Sequence, residues 1–129
     1  PEGVWCDALN QVTGGPEATS RSSGNQAWAV YAICFYTFGT EDTAYLPMAE
    51  ATAAWLMARQ DTDGGITGGK NADGTERAWT STEHNVDAYF AFKLLHRLTD
   101  NSLYENAMNG CKDWLLLKGW NSAAVRINQ

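Results

Sequence analysis

Two hydrophobic patterns alternate along the chain. Residues 27–38 are apolar on nearly every side, with an unbroken run of ten over 27–36. Residues 86–98 are similar and carry Ala88, Tyr89, Phe90, Ala91, Phe92, Leu94 and Leu95. A helix apolar all round is enclosed by other elements, so both stretches predict buried helices. A second pattern follows each of them. Tyr45, Met48, Ala49, Thr52, Trp55 and Leu56 form a stripe at helical spacing, as do Tyr104, Ala107, Met108, Cys111, Trp114 and Leu115. Polar residues such as Glu50, Asn106, Asn109, Lys112 and Asp113 lie between them, which predicts helices with one wet face. The turns are short: Gly39-Thr40-Glu41-Asp42 and Thr99-Asp100-Asn101. Their Thr and Asp residues are N-cap candidates. Pro47 lacks an N–H, so the first wet-faced helix starts late or irregularly.

The two stripes differ by a constant 59 positions. An ungapped shift of 59 lays 24–60 on 83–119, with Ala29/Ala88, Ala32/Ala91, Thr40/Thr99, Tyr45/Tyr104 and Trp55/Trp114 identical. Such self-similarity marks a repeat architecture. Long glycine-rich loops, 1–23 and 61–82, precede the two units. Loops of this length are often functional. Alternation across Gly65-Ile66-Thr67-Gly68 allows a short hairpin. The order is long loop, buried helix, short turn, wet-faced helix, twice over. The expected fold class is all-α: repeated helical hairpins of an α/α toroid, forming one partial domain over 1–129, which the family resemblance given next implies is about two hairpins of a six-hairpin ring. Inner helices line a central funnel and outer helices wrap them. Both ends, Pro1 and Gln129, read as cuts within loops, so further hairpins of a parent protein are expected.

Two stretches carry a family resemblance. Trp55-Leu56-Met57-Ala58-Arg59-Gln60-Asp61-Thr62-Asp63-Gly64-Gly65 resembles the outer-helix end and Gln-x-x-Asp-Gly loop of the six-hairpin toroid superfamily. Thr80-Ser81-Thr82-Glu83-His84-Asn85-Val86-Asp87-Ala88-Tyr89 is similar to the polar start of an inner helix in bacterial toroids of carbohydrate processing. The resemblance implies glycoside hydrolase, polysaccharide lyase or N-acylglucosamine 2-epimerase-like chemistry, sited in the funnel at the loop-bearing ends of the inner helices. The same punctuation occurs in terpenoid cyclases and complement-type thioester domains. No Asp-rich run supports a cyclase here.

The densest polar cluster runs from Thr80 to Asp87. Glu83 and Asp87 are four apart and share a face with His84 nearby, so all three are catalytic candidates. Glycoside chemistry places a carboxylic acid and a carboxylate on opposite sides of a bond. Residues of one helix serve one side of it. An epimerase would use His84 as a proton shuttle. The structural alternative is a capping box, Thr80-x-x-Glu83, with Asn85 and Asp87 pinning the glycine loop. Asn25 and Gln26 stand at the shifted positions of His84 and Asn85, so the first unit offers amides where the second offers an ionisable group. Asn25, Gln26 and Asn85 are therefore substrate-binding candidates. Of the six tryptophans, Trp55 and Trp114 belong to the core stripe. Trp28 and Trp79 are the candidate sugar platforms, because an indole stacks on an apolar sugar face and still donates its N–H; loop anchoring is the alternative.

Composition narrows the partners. Nine Lys and Arg against fifteen Asp and Glu give a net charge of −6, with no basic stripe for phosphates, so nucleic acid is not an expected partner. The longest apolar run is half of what a bilayer span needs, about 20 residues. Three cysteines, 6, 34 and 111, show no Cys-x-x-Cys spacing, and Cys34 and Cys111 read as core. No nucleotide, esterase or zincin motif occurs. Neither a metal nor a cofactor is implied. The expected ligand is a sugar or oligosaccharide and the expected activity glycoside hydrolase-like, with a non-catalytic module binding a protein or glycan as the alternative.

Overall fold

The computed structural model describes residues 4–9, 11–121 and 126–127. Pro1, Gln129 and part of the leading loop lie outside the described residues. The two long helices predicted to be inner are α1 (Ser23–Thr40) and α3 (Thr82–Thr99); the two wet-faced ones are α2 (Leu46–Met57) and α4 (Ser102–Trp114). α1 packs on α2 and α3 on α4, and the two hairpins meet along α1 and α3. Both short turns open with a residue in the left-handed region, Glu41 at φ 60° and Asp100 at φ 54°. Each donates its N–H to a carbonyl four residues back, Thr37 and His96. That ends the inner helix sharply and turns the chain.

The caps differ in detail from the sequence expectation. α2 begins after Tyr45, with Pro47 in its first turn, where the missing N–H would have no intrahelical partner anyway. Asn101, not Thr99 or Asp100, caps α4 by accepting from Leu103 N–H. Ser81, not Thr80, caps α3 by accepting from His84 N–H at 3.2 Å. The proposed Thr80-x-x-Glu83 box is therefore out of register by one residue.

The all-α expectation needs one correction, because both long loops hold short strands. β1 (Ala8–Leu9) pairs with β2 (Pro16–Ala18). β3 (Arg21–Ser22) joins β4 (Thr67–Lys70) and β5 (Glu76–Thr80) in an antiparallel sheet of order β3-β4-β5. This sheet ties the leading loop to the middle loop. Gly69 sits at its centre at φ 105°, where a Cβ would come 2.1 Å from Arg21 O, so only glycine fits. After α4 the chain makes a π-helical turn, Leu115–Gly119, and a last pair of short strands, β6 (Trp120–Asn121) and β7 (Arg126–Ile127).

The core lies between the hairpins. Phe92, Leu95, Leu56, Val30 and Ile66 are among its largest fully buried side chains, each contributing about 1.5–3 kcal/mol by leaving water. Burial pushes the Cys34 thiol up to about 11 and that of Cys111 up to about 12. Both therefore stay protonated at neutral pH and pack as small apolar groups. The wet-faced stripe holds well in α4, where Tyr104, Ala107, Cys111 and Trp114 are buried. In the first unit Tyr45 and Met48 are open and the buried set is Ala49, Thr52, Ala53 and Leu56. Tyr45 precedes the helix and instead meets Tyr36 edge-on. α1 is not enclosed either: Trp28, Phe35, Tyr36 and Phe38 are exposed. It has α2 and α3 for neighbours, which leaves its other faces open.

The Gln-x-x-Asp-Gly loop acquires a physical meaning. Gln60 donates to Gly64 O and to Ala107 O of α4, both at 2.9 Å. Asp63 accepts from Gly65 N–H. Gly64, at φ 89°, lies so close to Gly110 that a Cβ would come 2.3 Å from its carbonyl oxygen. The motif thus staples the end of one hairpin to the outer helix of the next.

Candidate functional site

The three-stranded sheet brings the starts of α1 and α3 together at one rim. Five of the sequence candidates gather there. His84, in the first turn of α3, lies between two groups. On one side is Gly24 of α1, where a Cβ would come 2.7 Å from His84 Cδ2. On the other is the Trp79 ring of β5, 5.2 Å between centroids. Trp79 itself rests on Gly68, where a Cβ would overlap the indole. His84 Nε2 is 3.4 Å from Ser22 Oγ, and the buried Nδ1 has no hydrogen-bond partner. Burial holds this imidazole below its ordinary value; Glu83 opposes, Arg77 adds to the lowering, and Asp7 opposes. His84 is therefore mainly neutral at neutral pH.

One turn further, Asp87 faces the groove between the inner helices. The Trp28 indole lies beside its carboxylate and favours the charged form. The two share a cleft of about 140 Å³ with Ala27, Tyr31 and Phe90. Burial pushes the Asp87 carboxyl up, the charge of Glu83 pushes the same way, and the Trp28 indole opposes them. Glu83 is exposed at the lip. The Glu83 charge one turn away on the same helix thus adds to the effect of burial on Asp87, as their spacing implies. Trp28 and Trp79 are both about half exposed, so each presents an open indole surface beside a titratable group. Trp28, Tyr31 and Phe35 form a run of aromatic contacts along α1, with centroids 5.6 and 4.7 Å apart.

The other three candidates are placed differently. Asn25 is exposed and donates to Asp7 Oδ1 at 3.0 Å. Gln26 and Asn85 are fully buried and engaged with backbone. Gln26 Oε1 accepts from Trp5 N–H at 2.8 Å, and its Nε2 donates to Trp5 O at 2.7 Å. Asn85 Oδ1 accepts from Ile66 N–H at 2.7 Å, and its Nδ2 donates to Ile66 O at 3.3 Å and Ser81 O at 2.9 Å. Each amide thus pairs with both polar groups of one loop residue, as a neighbouring strand would. They hold the loops against the helices and present no free polar atom to the rim.

Sequence reasoning missed Asp7. It accepts from Ser22 N–H at 2.6 Å, from Ser20 Oγ at 2.8 Å and from Asn25. Arg77 approaches it at 3.7 Å. Burial works to raise its pKa, but the Ser22, Ser20 and Asn25 hydrogen bonds and the Arg77 charge outweigh burial and lower it. Asp7 is an ionised hub that fixes Ser22, and through Ser22 it borders His84. Arg77 is half-buried between Asp7 and Asn71. No periodicity marks a residue in an irregular loop, so the pattern carried no signal for Asp7. Among the described residues, no group of three or more His, Cys, Asp or Glu is placed to hold a metal ion. No helix among them is long and apolar enough to cross a membrane.

No family model and no curated protein matches the chain. Solved structures do. The chain is similar to the Lin0763 protein of Listeria innocua, with a TM-score of 0.73 and 22% identity over 84% of this chain and 32% of that one. It is similar to a GH76 α-mannanase of Bacteroides thetaiotaomicron, with a TM-score of 0.76 and 17% identity over 85% and 31%. A D-mannose isomerase aligns with a TM-score of 0.75 and 17% identity over 92% and 31%. At these identities the likeness is one of fold. The mannanase and the isomerase are α/α toroids, and the helical hairpins described above are part of that architecture. The chain spans about a third of the length of the structures it matches.

Proposed function

We propose that this chain is the sugar-binding part of a carbohydrate-processing α/α toroid, acting on glycosides, with its site at the rim formed by Trp28, Trp79, Glu83, His84 and Asp87 and bordered by Asn25. The observation that carries the reading is Asp87. It is a carboxyl whose pKa burial raises, the Trp28 indole lies beside it, and it stands on the wall of an aromatic cleft. Such a group suits the general acid of glycoside cleavage, donating its proton to the departing oxygen while the indole faces hold the sugar ring. Glu83, one turn away on the same helix, serves the same side of the bond. The opposing carboxylate then belongs to another part of the ring. The fold shared with an α-mannanase agrees with this reading.

One observation favours a second reading. His84 is kept neutral by burial, the form in which an imidazole takes a proton from a sugar carbon, as sugar isomerisation requires. The fold is also that of a D-mannose isomerase. The test compares D87N and H84Q in the intact protein on a panel of mannose- and glucose-configured glycosides and free aldoses. Glycoside hydrolysis predicts that D87N lowers kcat by about 10²–10⁴-fold on glycosides. Isomerisation predicts that H84Q does so on free aldoses. Unchanged turnover and sugar affinity in both variants overturns the site and leaves a non-catalytic module.

A further inference from the structure

Two serines hold the same place in the two units and do different work. Ser22 and Ser81 are 59 residues apart, and each stands with extended backbone at the N-cap of an inner helix. Ser81 acts as a residue there ordinarily does: its hydroxyl accepts from His84 N–H, three residues on, at 3.2 Å. Ser22 does not. α1 has no side-chain cap, although the amides of a helix's first turn favour one. The Ser22 hydroxyl lies instead 3.4 Å from His84 Nε2. Among the described residues it has no other partner. Both cap serines therefore converge on one histidine, Ser81 at its backbone and Ser22 at its ring.

The surroundings show how Ser22 is released from capping. Asp7 Oδ1 accepts from Ser22 N–H at 2.6 Å and from Asn25 Nδ2 at 3.0 Å. A loop carboxylate thus braces the start of α1, where negative charge is favourable. Gly24 makes room for the ring, since a Cβ there would come 3.0 Å from His84 Nε2. One unit keeps the local rule and the other breaks it, and such departures gather where a protein places function. The ring itself decides which nitrogen carries the proton. Nδ1 is buried without a hydrogen-bond partner. A buried N–H left unpaired is rarer than an unpaired acceptor, so in the neutral ring the proton belongs on Nε2, which donates to Ser22 Oγ. A hydroxyl has one hydrogen and two lone pairs. Once it accepts from Nε2–H, its own hydrogen is left to donate.

We propose that Ser22 is a ligand-binding residue of the rim: its hydroxyl, held by the Nε2–H of His84, donates a hydrogen bond to an oxygen of the bound sugar. This rests on the glycoside reading above. A hydroxyl polarised by an imidazole donor donates more strongly than an isolated one. His84 acts through Ser22 and is a positioning residue, while the transferred proton stays with Asp87. Isomerisation by His84 needs the opposite tautomer, with Nε2 bare.

The test uses the intact protein with isotope-labelled histidine, alongside S22A, S22T and S81A. Long-range proton–nitrogen NMR spectra at neutral pH should show His84 with Nε2 protonated and Nδ1 bare. A bare Nε2 overturns the proposal, and no sugar is needed to see it. Binding of methyl α-D-mannopyranoside and methyl β-D-glucopyranoside is followed at the same ring signal and by calorimetry. Affinity should fall about three- to tenfold in S22A and return in S22T, which keeps the hydroxyl. S81A should lower the thermal midpoint, since Ser81 caps a helix, and S22A should leave it at the value of the parent protein. Equal affinity in S22A and the parent protein overturns the proposal and leaves the glycoside site standing. A parent protein that binds neither glycoside overturns both. An S22A variant as destabilised as S81A overturns the proposal by showing that Ser22 is a cap.

Discussion

The starts of the two inner helices are equivalent by sequence register, yet they are used in two ways. At the inner position of the pair, Gln26 and Asn85 do the same work: each closes an amide against both backbone groups of a loop residue. At the outer position, Asn25 and His84 diverge. Asn25 turns to the Asp7 hub, whereas His84 is wedged between Gly24 and Trp79 with its ionisation altered. Burial explains the contrast. A buried amide left unpaired costs about 1–3 kcal/mol, so the inner position is tied to the fold in both units. The outer position borders solvent and is free to change chemistry without loss of the helix.

Breaking the shared half of this comparison should have the largest effect. Asn85→Ala leaves Ile66 N–H and Ile66 O without their partner, while Ser81 O keeps the residue-85 N–H, and is expected to cost about 3 kcal/mol, read by chemical denaturation. Gln26→Ala removes two bonds from a less enclosed loop and should cost about 2 kcal/mol. If either change costs less than a few tenths, the clamp reading fails. Next comes the contact that sets the outer position. Gly24→Ala drives a Cβ into the imidazole and should cost about 1–2 kcal/mol through overpacking. It should also shift the His84 ring resonances; unmoved resonances would show that α1 and α3 are not in register at this point.

The smallest effects are in pH dependence, and they sharpen the divergent half. His84 has a folded pKa below its ordinary 6.5. As pH falls, the unfolded chain takes up the proton first. The contribution to stability is full above about 6.5 and is lost as pH drops through the lowered folded value. His84→Gln should flatten the stability profile in that window. Asp87 behaves oppositely, since its folded pKa lies above 3.8. The folded state holds the proton longer, so stability falls as pH rises from about 3.8 through the folded value. Asp87→Asn should remove that fall and leave the variant at least as stable as the parent protein at neutral pH. A variant that is less stable at neutral pH than at pH 4 would contradict the assignment.

Periodicity carried the helices well. The 59-residue shift placed both hairpins, because apolar positions at helical spacing report burial directly. It carried the strands poorly. β1, β3, β6 and β7 have two residues each, too few to show an alternation, and β4 is built on two glycines. The caps slipped by one residue for a related reason. Thr80 and Ser81 are equally good acceptors in isolation, and Thr80 is taken by β5. At the site, Asp87, His84 and Trp28 were legible as polar or amphipathic groups at the start of apolar helices. Gln26 and Asn85 looked the same by residue type. What separates them is a partner about twenty residues upstream in an irregular loop, and no local rule encodes it. The Gln60 staple is an intermediate case: its motif was visible, while its bond to Ala107 exists only once α4 has come against the loop that follows α2.

The two amide clamps also bear on how such a chain reaches its native state. The backbone they capture lies 21 and 19 residues away, well inside one repeat. Each clamp therefore closes within its own unit, and the loop-closure entropy for such spans is modest. Assembly can proceed one hairpin at a time, in the order of synthesis, with each finished hairpin offering the next a templated surface. A helical repeat assembled this way folds largely at the pace of its local contacts.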